Sequence, residues 1–319
     1  DARPPLRAAG AAPDSGGTTL ARRVRFLGLG VMGRPMALNL VKCGHQLTVF
    51  DLETKAIEAL VQAGARAAGT AREAAQDREV VVSMLPASRH VEAAYLGPDG
   101  VIEGLVPNTV VIDMSTIDPG TSRRIAGEVM RKGAQMLDAP VSGSSAGAAE
   151  GTLTIMVGGD EAVLRSQRDL LEAMGHNIIH CGASGMGEAV KLCNQLVAGA
   201  SMVAVAEAFA LGQRLGTDPR VLFEVMSKSS GNCWALQTRP PVAGLVPNAP
   251  SGQDFAPGFM VDLMYKDFAL VMAAASELRL PLVVAAAAQQ LYALASQGGH
   301  GRSDFSAVFK VMERAQADA

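Results

Sequence analysis

Basic residues are in no excess in this chain. Twenty-eight Lys and Arg stand against 31 Asp and Glu, a formal net charge of −3 over 319 residues. A surface without positive excess has nothing to hold a polyphosphate backbone, which excludes nucleic acid as the main partner. Cysteine is scarce too. Cys43, Cys181, Cys193 and Cys233 form no CxxC pair and no metal-like spacing with the five histidines. They read as reduced thiols in a cytosolic or matrix protein, with no metal site. No uncharged apolar stretch reaches the ~18–20 residues of a membrane span, and the most apolar one, Leu196 to Leu211, is interrupted by Glu207. No membrane partner is expected. Charged residues are only 18% of the chain and apolar residues 49%, which excludes a disordered chain and suits two domains.

Asp1 to Arg23 is set apart. It is rich in Ala, Gly, Pro and Arg, shows no hydrophobic period and begins without Met. It reads as a disordered tail or a processed targeting remnant, although Asp1 and Asp14 are unusual in a transit peptide.

From Val24 onward strands alternate with helices. Val24 to Leu27 is a short apolar strand running into Gly28-Leu29-Gly30-Val31-Met32-Gly33, then a helical pattern through Met36, Leu40 and Val41. Gln46 to Phe50 reads as a second strand, closed by Asp51. Glu79 to Met84, Thr109 to Asp113 and Gln135 to Asp138 are further buried strands. This order predicts an α/β fold, a doubly wound parallel Rossmann sheet covered by helices.

The glycine turn has the context that gives GxGxxG its meaning: strand before, helix after, acid about 20 residues on. Gly28 permits the tight turn, Gly30 lets the backbone approach a pyrophosphate on the positive helix end, and Gly33 lets helix and strand pack closely. Asp51 is placed to accept the ribose hydroxyls and to repel a 2′-phosphate, which predicts NAD over NADP. Met84-Leu85-Pro86 with His90, and Asp113-Met114-Ser115-Thr116, end strands where such a sheet places its ligand.

After Gly182 to Gly187 the chain turns helical. Glu188 to about Arg214 has no Pro and spans about 40 Å as a helix, which sets a domain boundary near 185. Lys191, Asn194 and Gln195 share one face of its first turns. The helix dipole and burial both lower a lysine pKa there, toward proton transfer at neutral pH. Asp138 to Ala148 is a strand end followed by a loop of small residues, including Ser142, Gly143, Ser144 and Ser145. Its N–H groups and hydroxyls suit a carboxylate.

Together these segments resemble the β-hydroxyacid dehydrogenases. The likeness runs from Val24 to the region of Met312, through GLGVMGRPMALNL, MLP, IDMSTIDP, DAPVSG, GTLTIMVGG, GMGEAVKLCNQ and DLMYKD. The resemblance implies that Lys191 is the catalytic acid/base and that Asn194 hydrogen-bonds the substrate. It implies that Ser142 and Gly143 hold the substrate carboxylate, that Leu85, Pro86, His90, Thr116 and Lys266 touch the dinucleotide, and that Asp267 supports the closed cleft. The family loop usually reads SGG, and Ser144 replaces its second glycine. The division of labour between Asn194 and Gln195 stays open. The segment around Cys233 and Trp234 looks like the hydroxyisobutyrate branch, with Trp234 in the substrate pocket.

The expectation is therefore a tail over 1–23, an NAD-binding domain over 24–185 and a helical substrate and dimerisation domain over 186–319. The enzyme would oxidise a small β-hydroxy acid as a homodimer or homotetramer, in the mitochondrial matrix with a role in valine breakdown if eukaryotic, in the cytoplasm if bacterial. The alternatives are a tartronate semialdehyde, succinic semialdehyde or glyoxylate reductase of the same family, and a non-catalytic dinucleotide sensor.

Overall fold

The computed structural model describes residues 21–76 and 79–317. Its sheet contains nine strands: β1 (Arg23–Leu27), β2 (Gln46–Phe50), β3 (Arg66–Ala67), β4 (Val80–Ser83), β5 (Val110–Asp113), β6 (Gln135–Asp138), β7 (Val141–Ser142), β8 (Leu153–Gly158) and β9 (Gly175–Gly182). The order is β3-β2-β1-β4-β5-β6-β8-β7, with β9 on β8. The first six strands pair in parallel. The chain winds outward from β1 to β3, then returns to β4 and continues the other way. The crevice at the carboxyl ends of β1 and β4 is thus the topological switch point, where such sheets bind ligands.

The strands form because they alternate between two buried layers. Phe26, Val82, Ile112 and Leu137 enter one core, while Leu27, Val81, Val111 and Met136 enter the other. A strand covered on both faces reads as a continuous apolar run, which is why five of the nine were visible in the sequence.

The far edge differs from the expected parallel sheet. β8 is antiparallel to β6 and β7, and parallel to β9. The link from β7 to β8 holds only the seven-residue helix Ser144–Glu150. That is too short for the dozen or more residues of a parallel crossover, so the chain turns back. The tail reading also reaches too far. Residues 1–20 lie outside the described ones, but Arg23 opens β1 and Arg22 is anchored. The Arg22 guanidinium donates to Gln167 Oε1 at 2.8 Å and to Asp169 Oδ1 at 2.9 Å. Charged side chains hid this strand start, and the side-chain partners of Arg22 lie more than a hundred residues away.

The second half is a helical bundle around Met186–Arg214, a 29-residue helix. By length and composition alone this helix could cross a membrane, in spite of Glu207. Here it is the middle of the bundle: Met202, Ala206 and Phe209 are fully buried in a core shared with Met264, Phe268 and Tyr292. Gly199 sets the packing distance. Tyr292 donates its hydroxyl to Gly199 O at 3.0 Å, and Phe268 stacks on Tyr292 with centroids 5.7 Å apart.

A methyl at Gly199 would overlap the Phe268 ring and lie 2.8 Å from Met264 Sδ. Gly199→Ala is therefore expected to cost about 1–3 kcal/mol through overpacking. At ~2–4 °C per kcal/mol for a chain of this size, thermal unfolding should show a clear drop in Tm. An unchanged Tm would mean that the two helices separate freely at this crossing.

Candidate active site

The cofactor turn is built from backbone constraints. Gly28 leaves β1 with φ +87°, and a side chain there would overlap the carbonyl of Met84 across the switch point. Only glycine meets both conditions. Met32 starts the helix Gly33–Lys42 without a side-chain cap. The positive end of that helix is thus left to its backbone N–H groups, which suit a pyrophosphate. Leu29 is buried and offers only its backbone, whereas Val31 is exposed. Asp51 Oδ2 accepts from Leu29 N at 2.6 Å and Oδ1 from Glu53 N at 2.8 Å. The carboxylate therefore braces the glycine turn, a role its spacing did not reveal, and each oxygen keeps a lone pair for a ribose hydroxyl. These residues fit the pyrophosphate and adenosine ribose of NAD.

The loops after β4 and β5 are tied together. Leu85 N donates to Ser115 Oγ at 2.8 Å, and Ser115 Oγ donates to Asp113 Oδ1 at 2.6 Å. From the helix Val261–Glu277, Lys266 Nζ donates to Thr116 O at 2.8 Å and Pro86 O at 3.3 Å. Pro86, Thr116 and Lys266, separated by up to 180 residues, thus meet in one place. His90 is half-buried with Nδ1 unpartnered, and burial, with Arg89 and Lys266, lowers its pKa. It is held neutral.

Lys191 is 4% exposed, five residues into the long helix. Its Nζ donates to Gln195 Oε1 at 2.9 Å, and Gln195 Nε2 donates to Asp267 Oδ2 at 2.7 Å. Asp267 Oδ1 is 3.0 Å from Lys266 Nζ. Burial pulls the Lys191 pKa from its ordinary 10.5 down to about 8, against the opposing pull of Asp267 and Glu188. Asn194, which is exposed, donates to the same Gln195 Oε1 at 3.1 Å. Gln195 is thereby engaged by Lys191, Asn194 and Asp267, leaving one N–H. Asn194 keeps a donor and its carbonyl oxygen for a ligand.

Ser142 and Ser144 are half-buried on either side of Gly143. Ser144 adopts φ +61°, the left-handed backbone that a glycine takes without strain. Ser144, Ser145 and Ala146 face Trp234, Thr238 and Arg239 across a cleft of about 470 Å³. Trp234 is 54% exposed there, and Arg239 stacks on it at 5.6 Å. The structure thus assembles two groups. One joins Lys191, Asn194, Gln195, Asp267, Lys266, Thr116 and Pro86 by hydrogen bonds, and the other sets Ser144 against Trp234. Lys191 does not line the second.

The sequence reading missed three buried charges. Arg239 pairs with Asp304, which also accepts from Phe259 N at 3.2 Å and Ser306 Oγ at 2.7 Å. Glu188 is wholly buried at the start of the long helix. Nothing in the local sequence marks them, because their partners lie far along the chain: Asp304 is 65 residues from Arg239 and Ile117 is 71 residues from Glu188.

Comparison with known proteins agrees with this geometry. Residues 23–182 match the NAD-binding domain of 6-phosphogluconate dehydrogenase, and residues 185–312 match the NAD-binding region of NADP-dependent 3-hydroxyisobutyrate dehydrogenase. The chain is 46% identical to an NAD-dependent L-serine dehydrogenase of Pseudomonas aeruginosa, over 92% of its own length and 99% of the relative's. It is 45% identical to a 3-hydroxyisobutyrate dehydrogenase of the same organism, over 90% and 97%. The solved structure of a Mycobacterium tuberculosis 3-hydroxyisobutyrate dehydrogenase with L-serine superposes with a TM-score of 0.87 at 41% identity, covering 92% of this chain and 99% of that one.

Because Asp267 holds the Lys191 pKa up, Asp267→Asn should take it below about 8. Carbon-13 NMR of the lysine ε-carbon against pH measures the shift. An unmoved titration would show that the Asp267 charge does not reach the amine.

Proposed function

The chain belongs to the 3-hydroxyisobutyrate dehydrogenase family of NAD-dependent oxidoreductases, and on that premise we propose that it oxidises the primary hydroxyl of 3-hydroxyisobutyrate to the semialdehyde, with Lys191 as acid/base. The carrying observation is the Lys191 amine, buried, fixed by Gln195 and able to lose its proton near pH 8. NAD, when bound, supplies the acceptor for the hydride leaving the hydroxyl-bearing carbon.

The rest falls to this chain's side chains. The Ser142–Ser144 loop receives the substrate carboxylate, and Asn194 holds the hydroxyl with the N–H and carbonyl oxygen that its bond to Gln195 leaves free. Neutral Lys191 takes the hydroxyl proton, and in reverse the protonated amine polarises the carbonyl and returns it. Gln195 and Asp267 fix the amine, which turns proton transfer into a positioned event. Leu85, Pro86, His90, Thr116 and Lys266 would line the dinucleotide. An exposed apolar stripe on the long helix, Val190, Val197 and Leu211 at seven- and fourteen-residue spacing, supports a homodimer or homotetramer. The units would be an NAD-binding domain over 24–185 and a helical domain over 186–319.

L-Serine is the second reading, because one relative is named for it and one solved relative was determined with it. The two substrates share a carboxylate and a primary alcohol, and differ in a methyl against an ammonium on the middle carbon. The cleft beside Ser144 is lined by no acidic side chain that would hold an ammonium, and the Arg239 in it is already paired with Asp304. That favours the methyl.

Initial rates with NAD and NADP over 3-hydroxyisobutyrate, L-serine and the reduced products of tartronate semialdehyde, succinic semialdehyde and glyoxylate test this reading. The kcat/KM for 3-hydroxyisobutyrate should lead L-serine by at least tenfold, or ~1.4 kcal/mol. The reverse order overturns the substrate and leaves the dehydrogenase. Lys191→Ala should lower kcat by about 10²–10⁴ and leave NAD binding within a few-fold. Loss of less than tenfold would end the acid/base assignment.

Asp51 should decide the cofactor. Leu52 is 89% exposed, so Asp51→Asn with Leu52→Arg adds a cation and removes a repelling charge with little packing cost. The NAD over NADP ratio of kcat/KM should fall at least tenfold. A constant ratio would leave Asp51 as a brace of the glycine turn alone.

A further inference from the structure

Three acids lie buried where the long helix meets the sheet. Asp113 ends β5, Asp138 ends β6 and Glu188 sits in the first turn of the helix, each 0–1% exposed. Among the described residues no group of three or more His, Cys, Asp or Glu is arranged to hold a metal ion. The acids must therefore be accommodated by hydrogen bonds or by protons.

Their partners are unequal. Asp138 is satisfied as a carboxylate, with Oδ1 accepting from Gly185 N at 2.7 Å and Oδ2 from Glu188 N at 3.1 Å. Asp113 Oδ1 takes three donors: Ser115 Oγ at 2.6 Å, Ser83 Oγ at 2.7 Å and Ser115 N at 3.3 Å. Asp113 Oδ2 has none. Glu188 Oε2 accepts only from Ile117 N, at 3.2 Å, and Glu188 Oε1 has no partner. Two buried acid oxygens thus lack a donor. A carboxylate in that condition is costly, and a proton on the acid with fewer donors removes the cost of its charge.

We propose that Glu188 is a positioning residue that keeps its proton at neutral pH, so that no charge faces Lys191 from the preceding turn of its helix. The proton belongs on Glu188 because Asp113 has three donors to stabilise its charge and Glu188 has one. The charged groups facing Glu188 are Asp113 from β5, Asp138 from β6, Lys191 on its own helix and Lys266 from the helix Val261–Glu277. Lys266 is committed to Thr116 O, Pro86 O and Asp267, and does not reach Glu188. Burial, and then Asp113, hold the Glu188 carboxyl well above the usual carboxylate range.

Two consequences follow for the site. The Glu188 to Ile117 bond fixes the loop whose Thr116 carbonyl holds Lys266. A neutral Glu188 also exerts no upward pull on the Lys191 amine, whereas an ionised one draws it upward. The second consequence rests on Lys191 being the acid/base, and the first does not.

The test uses the intact chain. Infrared spectra at pH 7 should contain the carbonyl stretch of a buried protonated carboxylic acid. That band should move on carbon-13 labelling of glutamate alone and vanish in Glu188→Gln. Stability should also respond with a definite sign. A carboxyl whose folded pKa is raised contributes stability that is full below its unfolded value, near 4.5, and is lost as pH rises toward the folded value. The Tm of the wild type should therefore decline over that window more than that of Glu188→Gln, whose amide oxygen can still accept from Ile117 N. In kcat/KM against pH, the Lys191 ionisation should keep its wild-type position in Glu188→Gln. No glutamate-sensitive acid band, parallel Tm curves, or an ionisation lowered by a unit or more would each overturn the proposal. The infrared and melting measurements require no turnover, so they separate its failure from failure of the Lys191 assignment.

Discussion

Asp138 closes β6 with a carboxylate that receives the amides of Gly185 and Glu188, and through those two bonds the long helix is seated on the end of the sheet. Nearby, Gly187 packs so tightly that a side chain would lie 2.8 Å from Asp138 O. This contact fixes the position and rotation of the helix start. Lys191 follows one turn later, so its depth and direction are set before any of its own hydrogen bonds is made. The remaining bonds act on a backbone already in place: Gln195 holds the amine and Asp267 holds Gln195.

That arrangement also explains how a buried lysine is tolerated. The amine lies close to the positive end of its helix and is removed from water, and both effects favour the neutral form. Asp267 opposes them, which keeps the pKa within reach of neutral pH. Lys266 holds the adjoining loops and stands beside the same carboxylate. The balance therefore depends on contacts between the helical half and the sheet half, so the packing of one on the other sets the pKa of the amine.

The parts legible in sequence are those whose cause is local. The Gly28 turn, the parallel strands from Val24 to Asp138 and the long helix are written in periodicity and in glycine's backbone freedom. β3 and β7 have two residues each and carry no period. β9 exposes most of its polar run, and β8 turns antiparallel because of the length of a link. Asp51 was recognisable as an acid in the right place, but its bonds to Leu29 and Glu53 depend on how the turn folds back. Arg239 and Asp304 are 65 residues apart and could be paired only in three dimensions. Glu188 is the sharpest case, because its meaning lies in a donor it lacks.

Ser144 shows how a local departure can leave the architecture intact. Serine disfavours positive φ by about 1–2 kcal/mol, so the loop could have shifted to relieve it. Instead it holds φ +61°, and Gly143 before it holds φ +143° with Leu153 so close that a side chain would lie 2.9 Å from its Cδ2. The strain is retained because both sides are fixed: Ser142 pairs with Thr154 in the sheet, and Gly147 N donates to Gly143 O at 3.1 Å in the short helix. A backbone held on both sides keeps its course whatever side chain it carries, within a small strain. The loop thus carries a serine at a backbone conformation that glycine adopts without strain. It places a serine in the wall of the cleft, opposite Trp234.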